Sequence, residues 1–155
     1  MLRFRERVRL RAGEQDLLVV RVARERFALP VESVDELVES PRVHTIPSSP
    51  PALLGVFPLG DRLLSLYAPD RLLGAAVGDE PVALVMRSGA RILALAVDDA
   101  EDVVRVDLKD VRDAPRVGRD DDLVLGVLWR APDLISLLDA RALAAACAAF
   151  GARVS

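Results

Sequence analysis

Two stretches of this chain can be laid over one another residue by residue, and that internal repetition restricts the possible folds more than any other feature. Placing Phe27-Ala28-Leu29 over Leu93-Ala94-Leu95 brings Val31 onto Val97, Val34 onto Ala100, Glu36 onto Asp102 and Val38 onto Val104. Farther on, Gly55-Val56-Phe57 falls on Gly126-Val127-Leu128, Leu63-Leu64-Ser65-Leu66 on Leu134-Ile135-Ser136-Leu137, and Leu72 on Leu143. Hydrophobic alternation makes any two strand pairs look alike, so the weight lies in two blocks recurring in the same order. Each half, about residues 15 to 75 and 80 to 145, reads as two strand pairs around a connector.

The apolar runs are short, rich in Val and Leu, and broken by Gly, Pro and Asp, which is the rhythm of strands in a sandwich or barrel. LLVVRVA followed by RFALPV predicts a hairpin across Arg24-Glu25-Arg26; PVALVMR followed by RILALAV predicts a second across Ser88-Gly89-Ala90, whose glycine supplies positive φ. Neither half is large enough to bury a comfortable core alone, so the halves are expected as paired barrels sharing an interface. Between the strands of the first half runs SPRVHTIPSSPPALLGV, where Pro41, Pro47, Pro50 and Pro51 lack backbone donors and suit only a fixed, extended connector. Its counterpart VDLKDVRDAPRVGRDDD is acidic and loop-like. The Ala- and Leu-rich tail from Asp139 to Phe150, closed by Gly151, predicts a short terminal helix.

With 155 residues, 52% hydrophobic and 29% charged, the chain has the makings of one compact folded unit and is not disordered. No run approaches the roughly 20 apolar residues that cross a bilayer, and Arg alternates through the N-terminus where a signal peptide would be apolar, so a cytoplasmic protein is expected. Cys147, the only cysteine, permits neither an internal disulfide nor a Cys-based metal cluster, and reads as a buried, inert thiol. His44 is the sole histidine; Ser48 and Ser49 stand near it in sequence, but there is no nucleophile elbow, so a catalytic set is not expected. The clusters Asp98-Asp99-Ala100-Glu101-Asp102 and Asp120-Asp121-Asp122 lack the spacing of a calcium loop and read as solvated turns, so neither metal nor cofactor is expected. A net charge of −3 argues against nucleic-acid binding by the body of the protein. Residues 1–14 are different: Arg3, Arg5, Arg7, Arg9 and Arg11 alternate with Leu2, Phe4, Glu6, Val8 and Leu10. This reads as a basic edge strand or arm whose charges would block aggregation; the alternative function is a small barrel module that binds nucleic acid or an anionic membrane surface through it.

From Leu17 to Leu143 the order of segments resembles the CheW-like chemotaxis adaptor family. The resemblance is carried by LLVVRVARERFALPVESVDELVE, VHTIPSSPPALLGVFPLGDRLLSLY, VALVMRSGARILALAVDDAEDVVRV and LVLGVLWRAPDLISLLDARAL, and above all by SPPALLGV. It implies an all-β fold of two five-stranded, SH3-like barrels with a short C-terminal helix, no enzymatic activity, and a role in bacterial chemosensory arrays. The implied partners are the regulatory domain of a CheA-type histidine kinase, the cytoplasmic tip of chemoreceptors, and other CheW-like domains, without insertion into the membrane. By position, the resemblance implies a receptor groove at Val31, Val34, Glu36, Gly55 and Gly60, and a kinase-facing surface at Leu53 and Leu54. The chain departs from the family at Pro58-Leu59-Gly60-Asp61, where members have Asn-Leu-Arg-Gly. Gly60 replaces the arginine, and Arg62, two residues on, keeps the strand face while moving the head group by about 7 Å. Trp129 with Arg130 is expected to pack at the second hairpin, the alternative being a tryptophan that faces a partner.

Overall fold

The computed structural model describes residues 13–113 and 123–152, so the Arg-rich stretch before Gly13 and the Asp120-Asp121-Asp122 run lie outside the described residues. The first half supplies β1 (Glu14–Val22), β2 (Glu25–Pro30), β3 (Val34–Val38), β4 (Leu53–Leu59) and β5 (Arg62–Tyr67). The second supplies β6 (Val82–Ser88), β7 (Arg91–Val97), β8 (Asp99–Asp107), β9 (Val124–Arg130) and β10 (Asp133–Leu138). The acidic run Asp98-Asp99-Ala100-Glu101-Asp102 is not the solvated turn expected from the sequence: from Asp99 onward it is the start of β8, because it pairs with the apolar strand β1, just as Val34, Asp35 and Glu36 start β3.

These strands form two five-stranded sheets, ordered β8-β1-β2-β10-β9 and β3-β6-β7-β5-β4. Exchanging every strand for its counterpart in the other half converts one order into the other. The correspondence reaches single residue pairs. Phe27 opposite Val20 recurs as Leu93 opposite Met86. Leu137 beside Ala28 recurs as Leu66 beside Ala94, in the one parallel ladder of each sheet. Each half gives its first hairpin to one sheet and its last three strands to the other, so neither sheet is built from one half alone.

That exchange explains why β1 and β7 are apolar on both faces. In β1, Leu17 and Val19 belong to a cluster inside the first sheet with Ala28, Val104, Val106 and Ile135. Leu18, Val20 and Val22 face the other way, into a core shared by both sheets, where they join Phe27, Leu29, Leu84, Met86, Leu93 and Leu95. The second sheet has its own cluster, including Phe57, Leu66, Ala83 and Val85. Alternate residues of one strand therefore serve two cores, and a continuous apolar run is what such a strand requires.

The first hairpin turns one residue pair earlier than the sequence suggests: Ala23 and Arg24 make the turn, and Glu25 and Arg26 already belong to β2. Ala23 takes φ of 55°, as its counterpart Gly89 takes 61°. A side chain in that conformation costs about 1 kcal/mol, and Asp98 offsets it. Its carboxylate accepts from the Ala23 N–H at 2.6 Å and from the Gly78 N–H at 2.8 Å, tying the turn to the linker that precedes β6.

Two helices follow the two halves at matching places. The first, α1 (Asp70–Leu73), is a single turn ended by Gly74 at φ 74°. The second, α2 (Ala140–Ala152), is capped by Asp139, whose carboxylate accepts from the Ala142 N–H at 3.1 Å. It runs on through Gly151 instead of closing there, since one glycine costs a helix only about 1 kcal/mol. Leu72 and Leu143 both enter the shared core. So does Cys147, whose thiol burial pushes up to about 12. A thiol reagent at pH 8 is expected to leave the folded protein unmodified and to react fully in denaturant. The unfolded chain releases this proton near 9 whereas the folded one holds it to about 12, so stability should fall as pH rises through that interval. No helix among the described residues is long and apolar enough to cross a membrane.

Candidate functional site

The most informative surface lies where the outer strands β3 and β8 flank the shared core. Each is an edge strand, and each carries a bulge at the same point of the repeat. On β3, Val34 stands opposite Met86, Asp35 has no opposite residue, and Glu36, Leu37 and Val38 stand opposite Val85, Leu84 and Ala83. On β8, Ala100 stands opposite Val20, Glu101 has none, and Asp102, Val103 and Val104 stand opposite Val19, Leu18 and Leu17.

Residues opposite one another share a face of the sheet. Val34 and Leu37 therefore lie on the side of Met86 and Leu84, toward the shared core, and Ala100 and Val103 lie with Val20 and Leu18 on that same core. Leu37 remains 39% exposed and Val103 54% exposed. The two strands thus form a pair of matching apolar rims, with Val31 exposed on the single helical turn that leads into β3.

This geometry separates the sequence-derived positions. Val31 and Val34 lie on the β3 rim, but Glu36, across the bulge, is on the opposite face with Val85. Arg62 opens β5, and β6 and β7 stand between β5 and β3 in the sheet order. Gly60 is the turn between β4 and β5, with φ 62° and open space where a Cβ would be. Gly55 differs in that its Cβ position is 2.3 Å from the His44 carbonyl oxygen, so the connector can approach β4 only over a glycine. Leu53 packs partly into the shared core and Leu54 into the second sheet's cluster, which leaves both half-buried.

His44 makes a two-bond bridge to Val56, with N···O distances of 2.8 and 3.0 Å. Arg112 makes the same bridge to Val127, the counterpart of Val56. The histidine therefore holds a backbone position that an arginine fills equally well in the other half. Trp129 departs from expectation, being 64% exposed. On the outermost strand β9 its side chain alternates out of the cluster that holds Leu128, and it faces exposed Leu134 across the ladder. The counterpart pair is Pro58 with exposed Leu63. Val103, Leu37 and these two hairpin surfaces do not stand out in the sequence; the signal that could find them is the repeat, since it places Leu37 on Val103 and Leu63 on Leu134.

Two interlocked five-stranded sheets with apolar rims over a shared core define a mostly β fold of the SH3-like class. The family model of the CheW-like domain matches residues 16–147, and the chain belongs to that family. Among solved structures, the scaffolding protein TtCheW from Thermoanaerobacter tengcongensis is similar, with a TM-score of 0.74 at 19% identity over 82% of this chain and 85% of that one. No curated protein sequence matches. The family is one of adaptors in chemotaxis signal transduction, and its members are scaffolds, not enzymes.

Proposed function

We propose that this protein couples a CheA-type histidine kinase to chemoreceptors in the cytoplasm, at the receptor arrays. The observation that carries the reading is the pair of apolar rims, Val31, Val34 and Leu37 on one side and Ala100 and Val103 on the other, over the core that joins the two sheets. An amphipathic helix of a receptor tip presents the kind of apolar stripe that such rims would cover. The kinase regulatory domain, or a further CheW-like domain, is assigned to the proline-rich connector with Leu53 and Leu54, and to the exposed pairs Trp129 with Leu134 and Pro58 with Leu63.

The test is binding of the purified chain to a receptor-tip fragment and to a kinase regulatory domain encoded in the same genome. Val34→Arg and Val103→Arg each place a charge where an apolar side chain would be covered, and each should weaken receptor binding by at least about 30-fold while kinase binding persists. Because the groove is apolar, receptor affinity should change little between low and high salt. A parent protein that binds neither partner, or variants that bind the receptor fragment as the parent does, would sink the proposal.

A further inference from the structure

We infer that two ion pairs, Asp35 with Arg87 and Glu101 with Arg26, are clamps that hold the bulges of β3 and β8 in the register that turns Leu37 and Val103 toward the groove. The inference rests on the groove reading above and adds to it the residues that position its rims.

Asp35 and Glu101 are the bulged residues themselves, the ones without an opposite partner. Each is gripped by a forked arginine. The Arg87 Nε donates to Asp35 Oδ1 at 3.3 Å and Oδ2 at 3.1 Å, and its Nη2 lies 3.0 Å from Oδ2. The Arg26 Nε donates to Glu101 Oε1 at 2.8 Å and Nη2 to Oε2 at 3.4 Å, with Asp133 Oδ2 3.5 Å away. Planar two-point contacts of this kind fix direction as well as distance.

The repeat makes the pairing more than coincidence. It places Asp35 on Glu101, so the bulge carboxylate is common to both halves, but it does not place Arg87 on Arg26. Arg87 comes from β6, the neighbour of β3, whereas Arg26 reaches across β1 from β2. Two arginines from unrelated positions meet the same requirement.

The requirement follows from the ladder. Without its bulge, β3 would set Asp35 opposite Val85 and Glu36 opposite Leu84, putting a carboxylate over the shared core where Leu37 now lies. On β8 the same slip would put Asp102 in the place of Val103. An edge strand has one neighbour to hold its register, and a slip of one residue exchanges its faces. Exposed ion pairs shift such a local equilibrium by no more than about fivefold, which is enough to change the occupancy of a groove without unfolding the protein.

The experiment compares Asp35→Asn, Arg87→Gln and the exchange of Asp35→Arg with Arg87→Asp, reading amide hydrogen exchange across β3, affinity for a receptor-tip fragment, and the thermal midpoint. The single variants should exchange up to about fivefold faster at Glu36 and Leu37 and bind up to about fivefold more weakly, with the midpoint unmoved. The charge exchange should restore both. Unchanged β3 amides in the single variants, or faster exchange that the exchanged pair does not restore, would overturn the clamp. Faster exchange with unchanged affinity would overturn its link to the groove. A parent protein that binds no receptor fragment instead removes the groove reading, while the amide measurements still decide the clamp.

Discussion

Gly55→Ala is expected to destabilise the protein by about 4 kcal/mol, enough to bring a domain of ordinary stability close to unfolding. Two costs add. The backbone at Gly55 has φ of 151°, a conformation that L side chains rarely adopt, and the new Cβ would meet the His44 carbonyl oxygen at 2.3 Å. His44 cannot yield cheaply, because it is bonded to Val56 by both its N–H and its C=O. Gly60→Ala is the control: it also has positive φ, at 62°, but open space around the added methyl. Its cost should be about 1 kcal/mol. Urea unfolding of the two variants beside the parent measures the difference, and equal midpoints would mean that the connector does not press on β4 as described.

Leu143→Ala should cost about 3 to 4 kcal/mol and lower the thermal midpoint by about 10 °C. Leu143 is fully buried on α2, in the core to which both sheets contribute, and its removal opens a cavity there. Ala145→Ser, on the exposed side of the same helix, should stay within about 0.5 kcal/mol of the parent. A Leu143→Ala variant that melts with the parent would show that α2 does not close the shared core.

Much of this architecture is legible in the residues because the duplication can be read directly from them. Superposing Phe27 on Leu93 and Gly55 on Gly126 anticipates which residues of the two halves are equivalent, and the strand registers and the two bulges of the structure repeat at those equivalent positions. The same superposition sets Leu37 on Val103 and Leu63 on Leu134, all exposed. That exposure is invisible in a row of apolar letters, because burial depends on which face a strand turns to its neighbours. Trp129 lies open for the same reason: with Leu134 opposite it, it is on the face of the β9–β10 ladder turned away from the cluster that holds Leu128.

Residue order alone determined the repeated plan of two strand pairs in each half, the proline-rich connector, the terminal helix and the membership of Cys147 in a core, since each follows from local propensity, spacing and composition; the fifth strand of each half, β3 or β8, came from the tertiary structure. Tertiary structure decided what local rules cannot reach: that each half lends its first hairpin to the other's sheet, and that Val34 and Leu37 share a face from which Glu36 is turned away. A bulge adds one residue to one strand only, so its consequence depends on the partner strand, and no single stretch of chain contains both.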